Sequence, residues 1–239
     1  MTRERVEIIE DIGTVRITKK RGVKRISMRL HSSGEIRVSQ PVYMPYSVGI
    51  IFAKSHKEWL KKHISKQEPL KLYDGLPIGK QHILRHSRHA NTKTRTRLVG
   101  DELVVYSSRP NLSELNTADI VIVKKAIKRC LILQANNILP NQLRHLATGY
   151  GYSYKSIYIK PLKTRWGSCS NTKEITFNCY VMMLPQDCID YVMLHELAHT
   201  KHMHHGENFW NELARTSPNY KTIRKKMKQL QPSVHAFYV

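Results

Sequence analysis

Tyr191-Val-Met-Leu-His-Glu-Leu-Ala-His-Thr200 contains the pattern H-E-x-x-H, with His195, Glu196 and His199 at its fixed positions. The stretch has no Gly or Pro and is largely apolar, which indicates a buried helix. Residues i and i+4 share one face of a helix, so both histidines can reach one metal ion. Glu196 is adjacent and can accept a proton from a water that the metal activates. The motif predicts a zinc site with two histidine ligands and Glu196 as catalytic base.

The third ligand has to come from beyond this helix. His202 follows His195 by seven residues, a rise of ~10 Å on a straight helix, which is too far for a bond to the same ion. The chain must therefore turn first and bring a ligand back. His205 follows His199 by six residues and stands beside a glycine, so we predict His205 as the third ligand. Two further residues stay open as alternatives: His204 and Glu212.

Further motifs stand around this pattern in a definite order. They are Arg165-Trp-Gly-Ser-Cys169, Ile175-Thr-Phe-Asn178, Pro185, Ile189-Asp-Tyr191 and His205-Gly-Glu-Asn-Phe-Trp210. With H-E-x-x-H they resemble the YgjP-like zinc metallopeptidase family over residues 157–230, and more faintly over the β-rich N-terminal half. The resemblance implies a gluzincin-like core related to the SprT and WLM metalloproteases, with His195, His199 and His205 on zinc. Some members are described as nucleotide pyrophosphatases, so the resemblance indicates the site more sharply than the reaction.

Arg165 has two interpretations. It can pair with an acidic residue such as Asp190, which would be a structural role. Alternatively its guanidinium lies near the metal, where it would bind a substrate carboxylate or phosphate or stabilise an oxyanion. We favour the second interpretation and predict Arg165 as a catalytic residue together with Glu196. The same two interpretations apply, with less weight, to Asn178.

The charge of the chain is strongly basic. There are 40 Lys and Arg against 18 Asp and Glu, a net charge of +22, and residues 1–100 alone carry 22 basic against 8 acidic side chains. Such a field attracts phosphate polymers and other anions. Because the aromatic residues typical of nucleic-acid modules are not interleaved with these charges, we expect at most non-specific binding of nucleic acid through the basic N-terminal half. The simpler interpretation is a solvated basic surface.

The composition of the chain indicates the class of protein and its cellular compartment. With 239 residues, of which 41% are hydrophobic, the chain can bury a core, which excludes wholesale disorder. No apolar run approaches the ~20 residues of a membrane span, and residues 1–30 do not resemble a signal peptide. The four cysteines form no C-x-x-C pair, which is typical of buried thiols in a reducing compartment. We therefore expect a cytoplasmic protein that does not interact with membranes.

Periodicity predicts an α+β fold in two domains. Residues 5–40 and 72–107 alternate as strands, with a hairpin turn at residues 31–34, and residues 47–66 have helical spacing. Helices are predicted at about residues 117–137 and 141–147, separated by Pro140. The polar, proline-containing stretch after residue 108 marks the predicted boundary. It divides the chain into a basic β-rich domain (1–108) and a metallopeptidase-like domain (109–239).

The second domain is predicted to have a minimal zincin-like organisation. Three strand-like pieces are predicted at residues 156–159, 163–168 and 174–177, and the last two, joined by residues 171–173, would form a small antiparallel sheet ahead of the H-E-x-x-H helix. Such a sheet offers an edge that can hold an extended peptide. Two C-terminal helices are predicted at residues 207–214 and 219–230.

The favoured function is a zinc metallopeptidase that acts on a peptide or protein. The first alternative is nucleoside triphosphate pyrophosphohydrolase activity, in which the basic surface and Arg165 would contact phosphates. The second alternative is a nucleic-acid-binding protein with a structural zinc. A structural zinc is usually closed by four protein ligands, whereas this sequence offers three good ones with a glutamate beside them, which favours catalysis.

Overall fold

The computed structural model describes residues 3–10, 12–30, 35–64, 71–90 and 93–237, so the turn predicted at residues 31–34 lies outside it. Within the described residues, three small mixed sheets and six α-helices form an α+β architecture, as the sequence predicted. Contacts group the chain into two compact units, Met1–Pro69 and Leu70–Val239. The predicted division into domains of residues 1–108 and 109–239 stays a prediction.

The first unit is a four-stranded sheet covered by two helices. Its elements are β1 (Arg3–Ile9), β2 (Gly13–Lys20), β3 (Ser27–Leu30), β4 (Ile36–Pro41), α1 (Tyr46–Ser55) and α2 (Lys57–Ile64). The strand order is β1-β2-β4-β3, with β2 and β4 parallel. Alternate residues such as Ile17 and Val38 are fully buried with Ala53 and Leu60 in one core. This alternation explains why the strands were recognisable in the sequence.

The single helix predicted at residues 47–66 is wrong within the described residues. The chain forms α1 and α2 instead, separated by His56, whose φ of −104° and ψ of 21° are not helical. The imidazole Nδ1 of His56 lies 2.9 Å from the carbonyl oxygen of Phe52. A side chain that hydrogen-bonds to a carbonyl oxygen of the helix competes with the backbone hydrogen bonds of that turn, and this favours a break in the helix.

The second unit begins with another four-stranded sheet. Its strands are β5 (Pro77–Ile78), β6 (His82–Arg88), β7 (Arg95–Val99) and β8 (Glu102–Ser107), in the order β5-β6-β8-β7. Leu84 and Val105 from this sheet are fully buried in the same core as Ile127 and Leu131 of the long helix that follows. This sheet therefore shares one hydrophobic core with the rest of the second unit.

The long helix α3 (Thr117–Tyr150) is continuous through Pro140, so the prediction of two helices is wrong. Asn116 caps its start by accepting a hydrogen bond from the amide of Asp119. The helix ends at Gly151, which adopts φ 69°. Both sides of Pro140 are anchored, because Leu139 and Leu143 are fully buried.

A three-stranded sheet precedes the H-E-x-x-H helix. It consists of β9 (Ser156–Lys160), β10 (Gly167–Cys169) and β11 (Glu174–Asn178), in the order β10-β11-β9. The predicted antiparallel pairing of β10 with β11 is confirmed, and β9 runs parallel to β11. β10, predicted at residues 163–168, is shorter than expected, because residues 161–166 form a connection instead. β10 remains an edge strand.

The chain ends in three helices, α4 (Gln186–His199), α5 (Glu207–Thr216) and α6 (Tyr220–His235), which confirms the two predicted C-terminal helices. A short 3-10 helix, Cys179–Met183, leads from β11 towards α4. Among the described residues, no helix combines the length and apolar composition that a membrane span requires.

Candidate metal centre

Helix α4 supplies the first two histidines. It starts after Pro185 and has Asp187 in its first turn, where a negative charge suits the positive helix end. Ten of its fourteen residues are buried, so the helix is held firmly by the core. The rings of His195 and His199 lie one turn apart with centroids 4.9 Å from each other. The motif is therefore on a rigid helix, as the sequence indicated.

The third histidine comes from the segment between α4 and α5. The Nε2 atoms of His205 and His195 are 3.1 Å apart. The ligand atoms of His195, His199 and His205 all lie within 4.8 Å of one another, and no other such group of His, Cys, Asp or Glu is found in the part of the chain that the structure describes. Neither His204 nor Glu212 joins this cluster.

The Glu212 carboxylate is engaged elsewhere. It accepts hydrogen bonds from Lys201 (2.9 Å) and Arg215 (2.9 Å). These contacts lower the pKa of Glu212 to about 2, with the Arg215 hydrogen bond as the largest cause. Glu212 is therefore paired with two cationic side chains and is not part of the histidine cluster.

Contacts at the other ring nitrogens orient the imidazoles. Nδ1 of His199 lies 3.1 Å from the carbonyl oxygen of His202, and because a carbonyl only accepts, this nitrogen carries the proton. The lone pair of His199 is therefore on Nε2. Nδ1 of His195 lies 3.4 Å from the hydroxyl of Tyr191, one helical turn away. This Tyr–His spacing of four residues is the sequence signal for the contact.

Electrostatics keeps the cluster neutral. Burial, helped by the neighbouring His199 and His205, lowers the pKa of His195 to about 3. Burial is also the main cause that lowers the pKa values of His199 and His205. Neutral imidazole is the form that binds metal ions.

Trp210 holds the third histidine from the side. Its indole Nε1 donates a hydrogen bond of 3.0 Å to the carbonyl oxygen of His205, and its ring stacks on the His205 imidazole at an interplanar angle of 24°. Tyr220 stacks on the same indole, and the guanidinium carbon of Arg224 lies 4.8 Å from its centroid. The sequence indicated packing under this turn but not the hydrogen bond.

Glu196 is a buried carboxylate with an unsatisfied oxygen. Its side chain is 5% exposed, and Oε2 has no hydrogen-bond partner. Burial raises the pKa of Glu196 to about 8, while the positive charge of Arg165 opposes this rise. An ionised carboxylate here requires a nearby cation.

Two observations indicate that the ligand atoms of the three histidines fit a metal ion. Two nitrogens that share one tetrahedral zinc at ~2 Å lie about 3.3 Å apart, close to the 3.1 Å between Nε2 of His195 and of His205. A cation beside them would also compensate the orphaned oxygen of Glu196. Three neutral nitrogens with an adjacent carboxylate resemble catalytic rather than closed structural zinc sites.

The cluster lines a cleft of about 530 Å³. Strand β10 forms one wall, α4 forms the floor, and Met203 and Met227 contribute apolar surface. Arg165 also lines the cleft and is exposed. The alternative pairing with Asp190 is not formed; Asp190 accepts a hydrogen bond of 2.7 Å from Gln186 instead.

Asn178 shapes the connection that carries Arg165. Its fully buried side chain donates to the carbonyl oxygens of Leu162 (2.8 Å) and Arg165 (3.0 Å), and its Oδ1 accepts from the amide of Leu162. Asn178 therefore has a structural contact, which is the simpler of its two interpretations.

Comparison with known proteins identifies a family for this chain. The sequence model described as "YgjP-like, metallopeptidase domain" matches residues 24–230. Two solved structures are similar over part of the chain. The metallopeptidase zymogen abylysin of Pyrococcus abyssi is 30% identical over 39% of this chain and 96% of its own, with a TM-score of 0.36. The zymogen jannalysin of Methanocaldococcus jannaschii is 28% identical over 38% and 95%, with a TM-score of 0.35. The search of curated proteins finds no match.

Proposed function

Since the chain belongs to the YgjP-like family through its metallopeptidase domain, we propose that it is a zinc-dependent peptidase. The observation that carries the proposal is the convergence of His195, His199 and His205 beside the unsatisfied carboxylate of Glu196, in one cleft. In this proposal the three histidines hold the ion through nitrogen, and Glu196 is the catalytic base.

When bound, zinc supplies Lewis-acid chemistry: it polarises a carbonyl and lowers the pKa of a water to ~7. The chain's own residues then handle the protons. Glu196 accepts a proton from the attacking water on its carboxylate and donates it to the leaving amine. Helix α4 holds this carboxylate in place, so the base does not have to be ordered during the reaction.

A peptide substrate is supported by the position of β10. This strand lines the cleft and lies at the edge of its sheet, pairing only with β11 among the described strands. An extended peptide can add to such an edge through main-chain hydrogen bonds. Hydrolysis of a nucleoside triphosphate remains the alternative reaction for the same site.

The deciding experiment loads the purified protein with zinc and assays a peptide library and a nucleotide panel in parallel. We expect peptide cleavage by the wild type and a rate lower by ~10²–10⁴ in Glu196→Gln, which keeps the shape of the side chain but cannot take the proton. The variant should bind zinc normally. Full turnover at full zinc occupancy would contradict the role of Glu196, and cleavage of nucleotides alone would select the alternative.

The ligand set has its own test by metal analysis. His205→Ala should bind much less zinc, whereas His204→Ala, its immediate neighbour, should bind as much as the wild type because it lies outside the cluster. Equal loss in both variants would contradict the assignment.

Arg165 is proposed to bind the substrate or stabilise the oxyanion at the rim of the cleft. Arg165→Gln should lower kcat/KM while leaving zinc binding unchanged. A matched control is Lys163→Gln, an exposed cation on the same connection that does not line the cleft. Equal activity of Arg165→Gln and the control would contradict this role.

The basic N-terminal half is proposed to bind polyanions non-specifically. Strand register places Arg16, Arg37 and Arg29 side by side on β2, β4 and β3. The first two share an ion pair with Glu35, so the row keeps a net positive charge. Binding of DNA or RNA should weaken steeply with salt, since neutralised phosphates release counterions. Replacing the three arginines with Gln should reduce the salt slope; binding that does not depend on salt would favour a merely solvated surface.

A cytoplasmic location is proposed from the cysteines. All four, Cys130, Cys169, Cys179 and Cys188, are free thiols, and three of them are buried. Free thiols persist in a reducing compartment. Cell fractionation tests this location, and recovery of the protein in an oxidising compartment would contradict it.

A further inference from the structure

Gly167 touches the carboxylate of Glu196. It is the first residue of β10, in the Trp-Gly-Ser segment that lines the cleft. A Cβ atom at this position would lie 2.6 Å from Oε1, 2.8 Å from Cγ and 2.9 Å from Cδ of Glu196. Non-bonded carbon atoms normally keep ~3.5–4.0 Å apart. Any side chain at position 167 would therefore overlap Cγ, Cδ and Oε1 of Glu196.

Glycine is required at position 167 because a side chain would have no space, and not because of the backbone conformation. Gly167 is not among the residues with positive φ, so an alanine would not strain its backbone. Gly149 offers a contrast within the same unit: its φ is not positive either, and an added Cβ would meet no atom within 4 Å.

Neither the backbone of β10 nor that of α4 can move away easily to make room for a side chain at position 167. Gly167 pairs with the fully buried Phe177 of β11, and the amide of Asn178 donates a 2.8 Å hydrogen bond to the carbonyl oxygen of Trp166. On the other side, α4 is packed in the core over most of its length. The flexible part of the contact is the side chain of Glu196, which is itself almost fully buried.

We propose that Gly167 is a positioning residue for Glu196: the missing side chain lets the carboxylate lie against β10 and holds it beside the histidine cluster. The proposal rests on the function proposed above for Glu196. It also assigns a second role to β10, whose backbone then contacts the base on one side while its free edge is open to a peptide.

The first test is independent of activity. Gly167→Ala should lower the unfolding temperature in the protein that retains Glu196, whereas it should have little effect in a Glu196→Ala background, where the overlapping atoms are absent. Gly149→Ala is the matched control and should behave alike in both backgrounds. An equal loss of stability for Gly167→Ala in both backgrounds would overturn the contact. If the single variant does not fold, recovery of the fold in Gly167→Ala/Glu196→Ala supports the contact, and failure of both contradicts it.

The second test separates positioning from a merely structural role. With zinc content unchanged, Gly167→Ala should lower kcat by ~100-fold and change KM little, because a shift of ~1 Å in a catalytic group has about that effect. In a Glu196→Asp background, whose carboxylate is withdrawn by one methylene, the same substitution should cause a much smaller relative loss. The same fold-loss in both backgrounds, or wild-type kcat in Gly167→Ala, would overturn the proposal. A wild type without peptidase activity would instead contradict the proposed function, while the stability comparison still tests the contact.

Discussion

His205 is the member of the histidine cluster that no helix holds, so Trp210 has to fix its position through a hydrogen bond and a stacked ring. Trp210→Phe keeps an aromatic ring but removes the indole N–H. Outer contacts of this kind typically change metal affinity by ~10–100-fold, and we expect a loss near the lower limit. Competition with a chelator measures it. Trp59→Phe, in the first unit, is the control, and equal affinities of both variants would show that His205 is placed by other contacts.

Glu212 makes the stability of the second unit depend on pH. Its folded-state pKa is lowered to about 2 from a usual 4.5, mainly by the Arg215 hydrogen bond. A lowered pKa stabilises the fold above the unfolded value and loses this effect as pH falls through the folded value. Glu212→Gln should therefore be less stable than the wild type by roughly 1–3 kcal/mol at neutral pH.

The difference between wild type and Glu212→Gln should shrink between about pH 5 and pH 2, where the carboxylate takes up its proton. Urea unfolding at a series of pH values measures this. Glu207→Gln, a surface carboxylate on the same helix, should show a smaller difference. A gap that persists unchanged at pH 2 would mean that the loss is not electrostatic.

At the scale of elements, helix α3 shows where sequence reasoning reaches its limit. Proline removes one backbone hydrogen bond and normally interrupts a helix, so a break was expected at Pro140. The helix continues because Leu139 and Leu143 are both buried in one core, and this tertiary packing outweighs the local cost. H-E-x-x-H was predictable because its spacing is local to a single helix. The Gly167–Glu196 contact could not be predicted, since it joins β10 and α4, and no local sequence pattern indicates that these two elements lie close together.

The same limit explains the small sheet. Alternation identified β9 and β11, but it is identical for parallel and antiparallel strands, so the parallel pairing of β9 with β11 could not be derived from it. The buried Asn178 donates hydrogen bonds to backbone carbonyl oxygens of the connection at residues 161–166, a contact between distant residues that alternation does not indicate.

Pro140 itself supplies a prediction for α3. Because the helix is continuous, Pro140→Ala would restore the missing hydrogen bond to the carbonyl of Asn136 and remove the clash of the ring. We expect the free energy of unfolding to rise by about 1–3 kcal/mol. Chemical denaturation measures it, with the exposed Asn137→Ala as the control for helix propensity. A fall in stability would mean that the proline ring contributes packing that outweighs the lost bond.

Across the larger part of the molecule, Gln134 of α3 joins the β5–β8 sheet to the rest of the second unit. Its amide donates to the carbonyl oxygen of Ile78 (2.8 Å), and its Oε1 accepts from the amide of Lys80 (2.7 Å). The ammonium of Lys80 donates to the carbonyl oxygen of Leu184 (2.6 Å), just before α4. The sheet β5–β8 is thus bonded both to α3 and to the approach of the H-E-x-x-H helix.

These contacts predict how fragments of the chain fold. A fragment of residues 70–239 should unfold cooperatively, whereas residues 109–239 should not, because removal of β5–β8 exposes the face of α3 that packs on Leu84 and Val105. Circular dichroism with thermal unfolding compares the two. Cooperative unfolding of residues 109–239 alone would support the division at residue 108 that the sequence indicated.

Two of the histidines are fixed on α4 and the third lies on the segment before α5, and we expect this arrangement to set the order in which an ion would be bound and released. The pair on the helix would hold the ion first and His205 would hold it last, so dissociation would begin at His205. The residence time of the ion then follows how often residues 200–206 open, a local event that Trp210 opposes. Stopped-flow measurements should therefore find that Trp210→Phe accelerates release of the ion and leaves its capture almost unchanged, and equal changes in both rates would contradict this order.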